Sequence, residues 1–196
     1  EVGFRQENTL SLSGGTEKTK YYSSIGYLYD DSYTVSSDMK RLNARVKVDH
    51  EVNSWFKAGF NLAYTNTEIN SPNVGGTSQS SIFFAGQTIA PIYPVYIRNE
   101  QKQIIYDENA RLNTYDYGDG SINGLTRAYL QQANPLSDNQ LNTLQTEGNT
   151  FNGTFDAVVT LPFGFKFTSI NNVYLHEYRY TDTTNPFFGQ YAANKG

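Results

Sequence analysis

Residues 41–64 carry the most regular pattern in the chain. From Leu42 onward the apolar residues Leu42, Ala44, Val46, Val48 and Val52 fall on every second position, and Arg41, Asn43, Arg45, Lys47, Asp49 and Glu51 fill the places between them. A period of two belongs to a strand with one apolar and one charged face. After Asn53, Ser54 and Trp55 the alternation restarts, with Phe56, Ala58, Phe60, Leu62 and Tyr64 against Lys57, Gly59, Asn61, Ala63 and Thr65. Two such runs joined by so few residues predict an antiparallel hairpin. Each arm is about a dozen residues long, roughly twice the usual soluble strand and close to the 9–11 tilted residues that cross a bilayer.

The same period recurs on both sides of this hairpin. Residues 9–13 alternate around Leu10 and Leu12, the polar run 14–18 supplies a turn, and a strand is predicted over 19–30 with Tyr21, Ile25, Tyr27 and Tyr29 on one parity. Alternation returns at Phe151, with Phe155, Ala157, Val159 and Leu161 opposite Asn152, Thr154, Asp156 and Thr160. Residues 162–164 turn the chain into a last run, 165–181. That run starts with Phe165 and Phe167 on one face and then loses its period, which places a bulge at 169–172 before Tyr174, Tyr178 and Tyr180.

Between these groups, 66–146 shows little sustained alternation, and a connection of that length must carry structure of its own. Residues 80–88 read as a short helix, and 93–98 with 103–106 as a small hairpin around 99–102. Ile122, Leu125, Tyr129 and Ala133 fall at helical spacing, and Ser137 or Asp138 is placed to cap a last turn carrying Leu141 and Leu144.

Ordering the connections by length selects a class. Those at 14–18, 53–55 and 162–164 are short, and those at 30–40, 66–146 and beyond 181 are long. A meander alternates edges, so every short turn falls on one edge and every long loop on the other, as in outer-membrane barrels. Trp55, Phe56 and Phe163 then form a periplasmic aromatic girdle, and Tyr27, Tyr29, Tyr64, Tyr178 and Tyr180 an outer one. Arg41, Arg45, Lys47, Asp49, Glu51, Asn61 and Asp156 must face the lumen, because an Arg or Lys turned to lipid at mid-membrane costs about 2–4 kcal/mol.

Composition narrows the alternatives. The 196 residues hold no Cys and carry a net charge of -4, which leaves no disulfide framework and no basic stripe for nucleic acid. No apolar run is long enough for a membrane helix, and low mean hydropathy does not count against a barrel, whose lipid and lumen faces average out. Aromatic residues reach 15%, with 16 Tyr and 12 Phe but one Trp, and suit strands, girdles and sugar-binding surfaces alike. The chain opens directly on strand-like sequence and reads as an internal piece of a longer exported protein.

Catalytic chemistry has few candidates. His50 and His176 are the only histidines, so a nucleophilic triad or zinc site lacks members, and His50 sits where a polar rim residue belongs. Asp116 and Asp119, beside Tyr115 and Tyr117, lack the ligand series of a calcium loop; no metal or cofactor is expected. Tyr93, Tyr96, Tyr115, Tyr117 and Tyr129 have two uses open to them, stacking on sugar rings or filling a small local core.

Five phrases, SGGTEKTKYY (13–22), WFKAGFN (55–61), APIYPVY (90–96), NPL (134–136) and LPFGFKF (161–167), occur in an order and spacing that resemble the SusC/RagA family of TonB-dependent outer-membrane transporters of Bacteroides-type bacteria. The resemblance implies an all-β fold: about six antiparallel strands of a barrel of roughly 22, closed around a plug that this chain does not include. The alternation and the connection lengths divide the chain into barrel strands at 1–65, a long structured extracellular loop at 66–146, and a barrel hairpin with the start of the next loop at 147–196. The resemblance further implies import of oligosaccharide or oligopeptide nutrients with no bond made or broken. The partners implied are a SusD-like surface lipoprotein over the loops, the TonB complex acting through missing parts of the chain, and outer-membrane lipid. The competing reading is a non-transport binding protein, either a soluble Tyr-rich carbohydrate-binding β-sandwich or a surface adhesin barrel.

Overall fold

The structure, a computed structural model, describes residues 2–71, 81–109, 111–120, 126–131 and 133–186. In chain order its elements are β1 (Phe4–Gly15), β2 (Thr19–Asp31), β3 (Asp38–Asn53), β4 (Phe56–Asn70), α1 (Ile82–Thr88), β5 (Tyr106–Asp107), β6 (Leu112–Asn113), α2 (Pro135–Leu141), β7 (Thr143–Thr160) and β8 (Lys166–Thr183). The six long strands make one antiparallel sheet in the order β1-β2-β3-β4-β7-β8, and β5 pairs with β6 in the loop. The sheet is open, with β1 and β8 at its edges.

Local chemistry closes each short turn on the same edge. Thr16 Oγ1 accepts from the Lys18 and Thr19 amides at 3.3 and 3.1 Å. Asn53 Oδ1 accepts from Trp55 N and Phe56 N at 3.1 and 2.8 Å, a side chain standing in for the backbone of a turn. Pro162–Gly164 forms a 3₁₀ turn in which Phe163 and Gly164 take φ of 65° and 81°, and Leu161 N donates to Phe165 O at 2.8 Å. Trp55 and Phe163 stand exposed on this edge, as the lower girdle requires.

Register fixes the faces. Val46 pairs with Ser23 and Leu62, and Leu62 with Gly153, so Leu42, Val46, Phe60, Leu62, Phe155 and Val159 share one face. Arg41, Arg45, Lys47, Asp49, Glu51, Asn61 and Asp156 share the other. On the apolar face the run from Tyr64 down to Phe56 and from Phe151 down to Val159 matches the 9–11 tilted residues of a membrane crossing. Above it the face turns polar. Tyr64 Oη donates to Asn149 Oδ1 at 2.7 Å, Asn66 Nδ2 donates to the same oxygen at 2.9 Å, and Lys40 and Arg179 pair with Glu68 and Glu147 at 3.4 and 3.8 Å. The ladder of β4 with β7 therefore runs on to Asn70 and Gln145, beyond the boundaries at 65 and 147 expected from alternation.

Several expectations are corrected. No bulge lies at 169–172: β7 and β8 stay in one register from Thr160 opposite Lys166 to Thr143 opposite Thr183. Tyr178 and Tyr180 therefore point to the polar face, opposite Gly148 and Thr146, and are not part of the outer girdle; Tyr27, Tyr29 and Tyr64 keep the apolar parity. The one register shift in the large sheet is between Glu51 and Asn53, beside the turn. Tyr129 and Ala133 are not helical. The Arg127 amide donates to Gly118 O at 2.8 Å and Leu130 has φ 55°, so long-range pairing overrides the helical spacing; Ile122 and Leu125 lie outside the described residues. The cap of α2 is Asn134, whose Oδ1 accepts from Ser137 N at 3.2 Å ahead of Pro135 at the first helical position, while Leu144 belongs to β7. The helix expected at 80–88 forms from Ile82, capped by Ser81.

Candidate functional site

Of three features, two share the edge that carries the long loops and one is the polar face of the sheet below it. The first is the folded loop between β4 and β7. The expected turn at 99–102 is closed by Asn99 N donating to Gln103 O at 2.9 Å, and Arg98 bridges Ile104. A third segment joins it: Ile97 N donates to Thr114 O at 2.9 Å, Ile97 O accepts from Ile105 N at 3.0 Å, and Thr114 N donates to Ile105 O at 2.8 Å. Ile97, 2% exposed, is the apolar centre of this arrangement.

Around it the structure brings together most of the singled-out aromatic residues. Tyr96 bridges Tyr115 with ring centroids 5.0 Å apart, and Tyr117 lies 6.5 Å beyond. The Tyr115 hydroxyl donates to Gln140 Oε1, and Tyr117 and Ser137 share a 2.6 Å bond, which ties these rings to α2. Arg127, 4% exposed, sits 5.9 Å from the centre of the Tyr93 ring, and its Nη2 donates to Ala133 O at 2.7 Å. Asp116 is buried, and its Oδ1 accepts from Gly118 N at 2.7 Å. Asp119 is exposed, and Tyr129 projects into solvent, 60% exposed. Of the two uses open to these residues, Tyr96, Tyr115 and Tyr117 serve the local core, and Tyr129 is free of it. Among the described residues no group of three or more His, Cys, Asp or Glu side chains is placed to hold a metal ion.

Burial, then the neighbouring Tyr96 and Tyr117 hydroxyls, push the Tyr115 phenol up to about 12. Its unfolded value is about 10. The folded loop thus holds this proton more tightly than the unfolded chain, so the stabilisation is complete below about pH 10 and is lost as pH rises through about 12. An ultraviolet titration of tyrosinate should show a late-ionising tyrosine that disappears in Tyr115→Phe. If the curve is unchanged by that substitution, Tyr115 is not the late group.

The second feature is the polar face. Lys47 pairs with Asp49 at 3.1 Å, Lys57 with Glu51 at 2.8 Å and Arg41 with Glu7 at 3.7 Å, and Arg45 Nε donates to Asn61 Oδ1 at 2.8 Å. These charges are balanced within the sheet. On β8 the same face carries a row the sequence pattern had assigned elsewhere. The rings of Tyr174, His176 and Tyr178 stack with centroids 6.4 and 6.3 Å apart and planes within 19° and 23°. Thr150 Oγ1 holds His176 Nδ1 at 2.9 Å. Counting parity back from the β7 pairing is the signal that finds this row.

The third feature is a cavity of about 700 Å³ where α2 meets the upper ends of the strands, lined in part by Asp38, Asn70, Asn139, Gln140, Tyr180 and Asp182.

No protein-family model matches the chain. In sequence it is similar to TonB-dependent receptor P26 of Formosa agariphila, 25% identical over 146 residues that cover 74% of this chain and 12% of that protein. It is also similar to TonB-dependent receptor P39 of the same organism, 31% identical over 65 residues, 33% of this chain and 6% of that protein. In structure it is similar to the RagAB peptide importer in its open-open state, with a TM-score of 0.63 at 20% identity over 88% of this chain and 17% of that one. Against the closed-closed state the TM-score is 0.60 at 20% identity, over 94% and 19%. The chain spans 12% or less of the two receptors it matches in sequence. RagA is SusC-like, and TonB-dependent receptors and RagAB are outer-membrane proteins of Bacteroidetes. The likeness to SusC/RagA-type TonB-dependent transporters is thus present in sequence and in fold, and the six strands are a stretch of outer-membrane barrel wall.

Proposed function

We propose that this chain is part of the wall and one extracellular loop of an importer that takes up oligosaccharide or oligopeptide nutrients. A SusD-like lipoprotein docks over the loop, and the TonB complex acts through regions outside this chain. The supporting observation is the folded loop on the long-connection edge, which presents apolar surface outward. Ile92 is 77% exposed, and Phe83 and Tyr33 border an apolar groove of about 410 Å³ between α1 and the segment joining β2 to β3. Exposed apolar surface of this kind marks an interaction site, and the open sheet favours a barrel over a sandwich. A sandwich must cover its apolar face with a second sheet, and among the described residues the other sheet is only the two-stranded β5–β6 pair.

The residues proposed to work at the mouth are Tyr129 and Asp119 by direct contact, and Tyr93, Tyr96, Tyr115, Asp116 and Tyr117 by shaping the loop. In the full-length transporter, Phe83→Asp with Ile92→Asp should reduce co-purification of a SusD-like lipoprotein, and nutrient uptake with it, by about tenfold or more. Heat-modifiable barrel in the outer membrane should stay at its normal level. Unchanged association and uptake would remove the loop from partner docking.

A further inference from the structure

We draw no further inference here: the strongest candidate, the Asp49 and Asp156 carboxylates leaning over buried Gly59 on the polar face of the sheet, is an acidic pair with nothing in the structure to show what cation covers it.

Discussion

Leu62→Arg should empty the outer membrane of folded barrel, while Thr154→Arg at nearly the same depth should leave it there. Leu62 occupies the middle of the apolar face, in the row Ser23, Val46, Leu62, Gly153 and Val173. It also closes over Gly153 beside Phe151: a side-chain carbon at 153 would meet Leu62 Cδ2 at 3.3 Å and Phe151 Cε1 at 3.2 Å. An arginine there faces hydrocarbon on a strand with no water on that side, at a cost of about 2–4 kcal/mol. That corresponds to roughly 30- to 700-fold in the folding equilibrium. Thr154 lies on the opposite face, between Asn61 and Asn172 and two residues from Asp156, where a new guanidinium stays hydrated and near a carboxylate. The measurement is the fraction of heat-modifiable protein in outer-membrane preparations. Assembly of the Leu62 variant at wild-type level with loss of the Thr154 variant would mean that the faces are inverted.

The same asymmetry explains which parts of the fold could be read from the chain. In β3 and β4 the two faces meet different solvents, so each position is selected for one of them and the alternation from Leu42 to Tyr64 is nearly unbroken. In β8 the faces are not separated by polarity, because tyrosine suits a rim, a lumen or a strand equally well. Phe165 and Phe167 differ in parity from Tyr174, Tyr178 and Tyr180, and a single bulge would have put all five on one face. The pairing with β7 keeps its register instead, and that pairing is a property of two strands that neither sequence segment displays. The shift that does occur, between Glu51 and Asn53, takes up the exposed Val52 next to a turn, at the very end of the ladder, where almost no paired position follows it.

In the loop, legibility followed range. The helix α1 and the turn at 99–102 depend on residues a few positions apart, Ser81 with Phe84 and Asn99 with Gln103, and both were visible. The start of α2 was less so, since Asn134 followed by Pro135 marks a turn as readily as a capped helix. The clustering of Tyr96, Tyr115 and Tyr117, and the docking of Arg127 on Gly118 and Ala133, rest on contacts between separate segments. Helical spacing at 122–133 is a local signal, and it lost to these contacts in the described part of that segment.

Arg127→Ala should open the extracellular loop and leave the barrel intact. The Arg127 guanidinium is almost fully buried; burial lowers its pKa, and Asp116, then Tyr93 and Asp119, oppose that shift, so the group remains a cation held among acidic neighbours. It caps the Ala133 carbonyl ahead of α2 and packs over Tyr93, thereby joining the middle of the loop to its last helix. Removing it takes a cation from the neighbourhood of the buried Asp116 and leaves the Ala133 carbonyl without its donor, a loss of about 1–3 kcal/mol. Among the described residues the buried apolar centre of the loop is Ala85, Ile97, Tyr115, Leu130 and Ala133, a small core with little reserve against such a loss. Gly118→Ala should act in the same direction, because Gly118 has φ 70° and an added side chain would run into the Arg127 guanidinium. Below the loop, β4 and β7 pair directly along their whole length, so the wall does not depend on it. Proteinase K applied to intact cells should cut both variants within the loop at concentrations that spare the wild type, with heat-modifiable barrel unchanged. A protease-resistant loop in Arg127→Ala would show that the buried charge is not what holds it, and loss of the barrel along with the loop would show that the two fold as one unit.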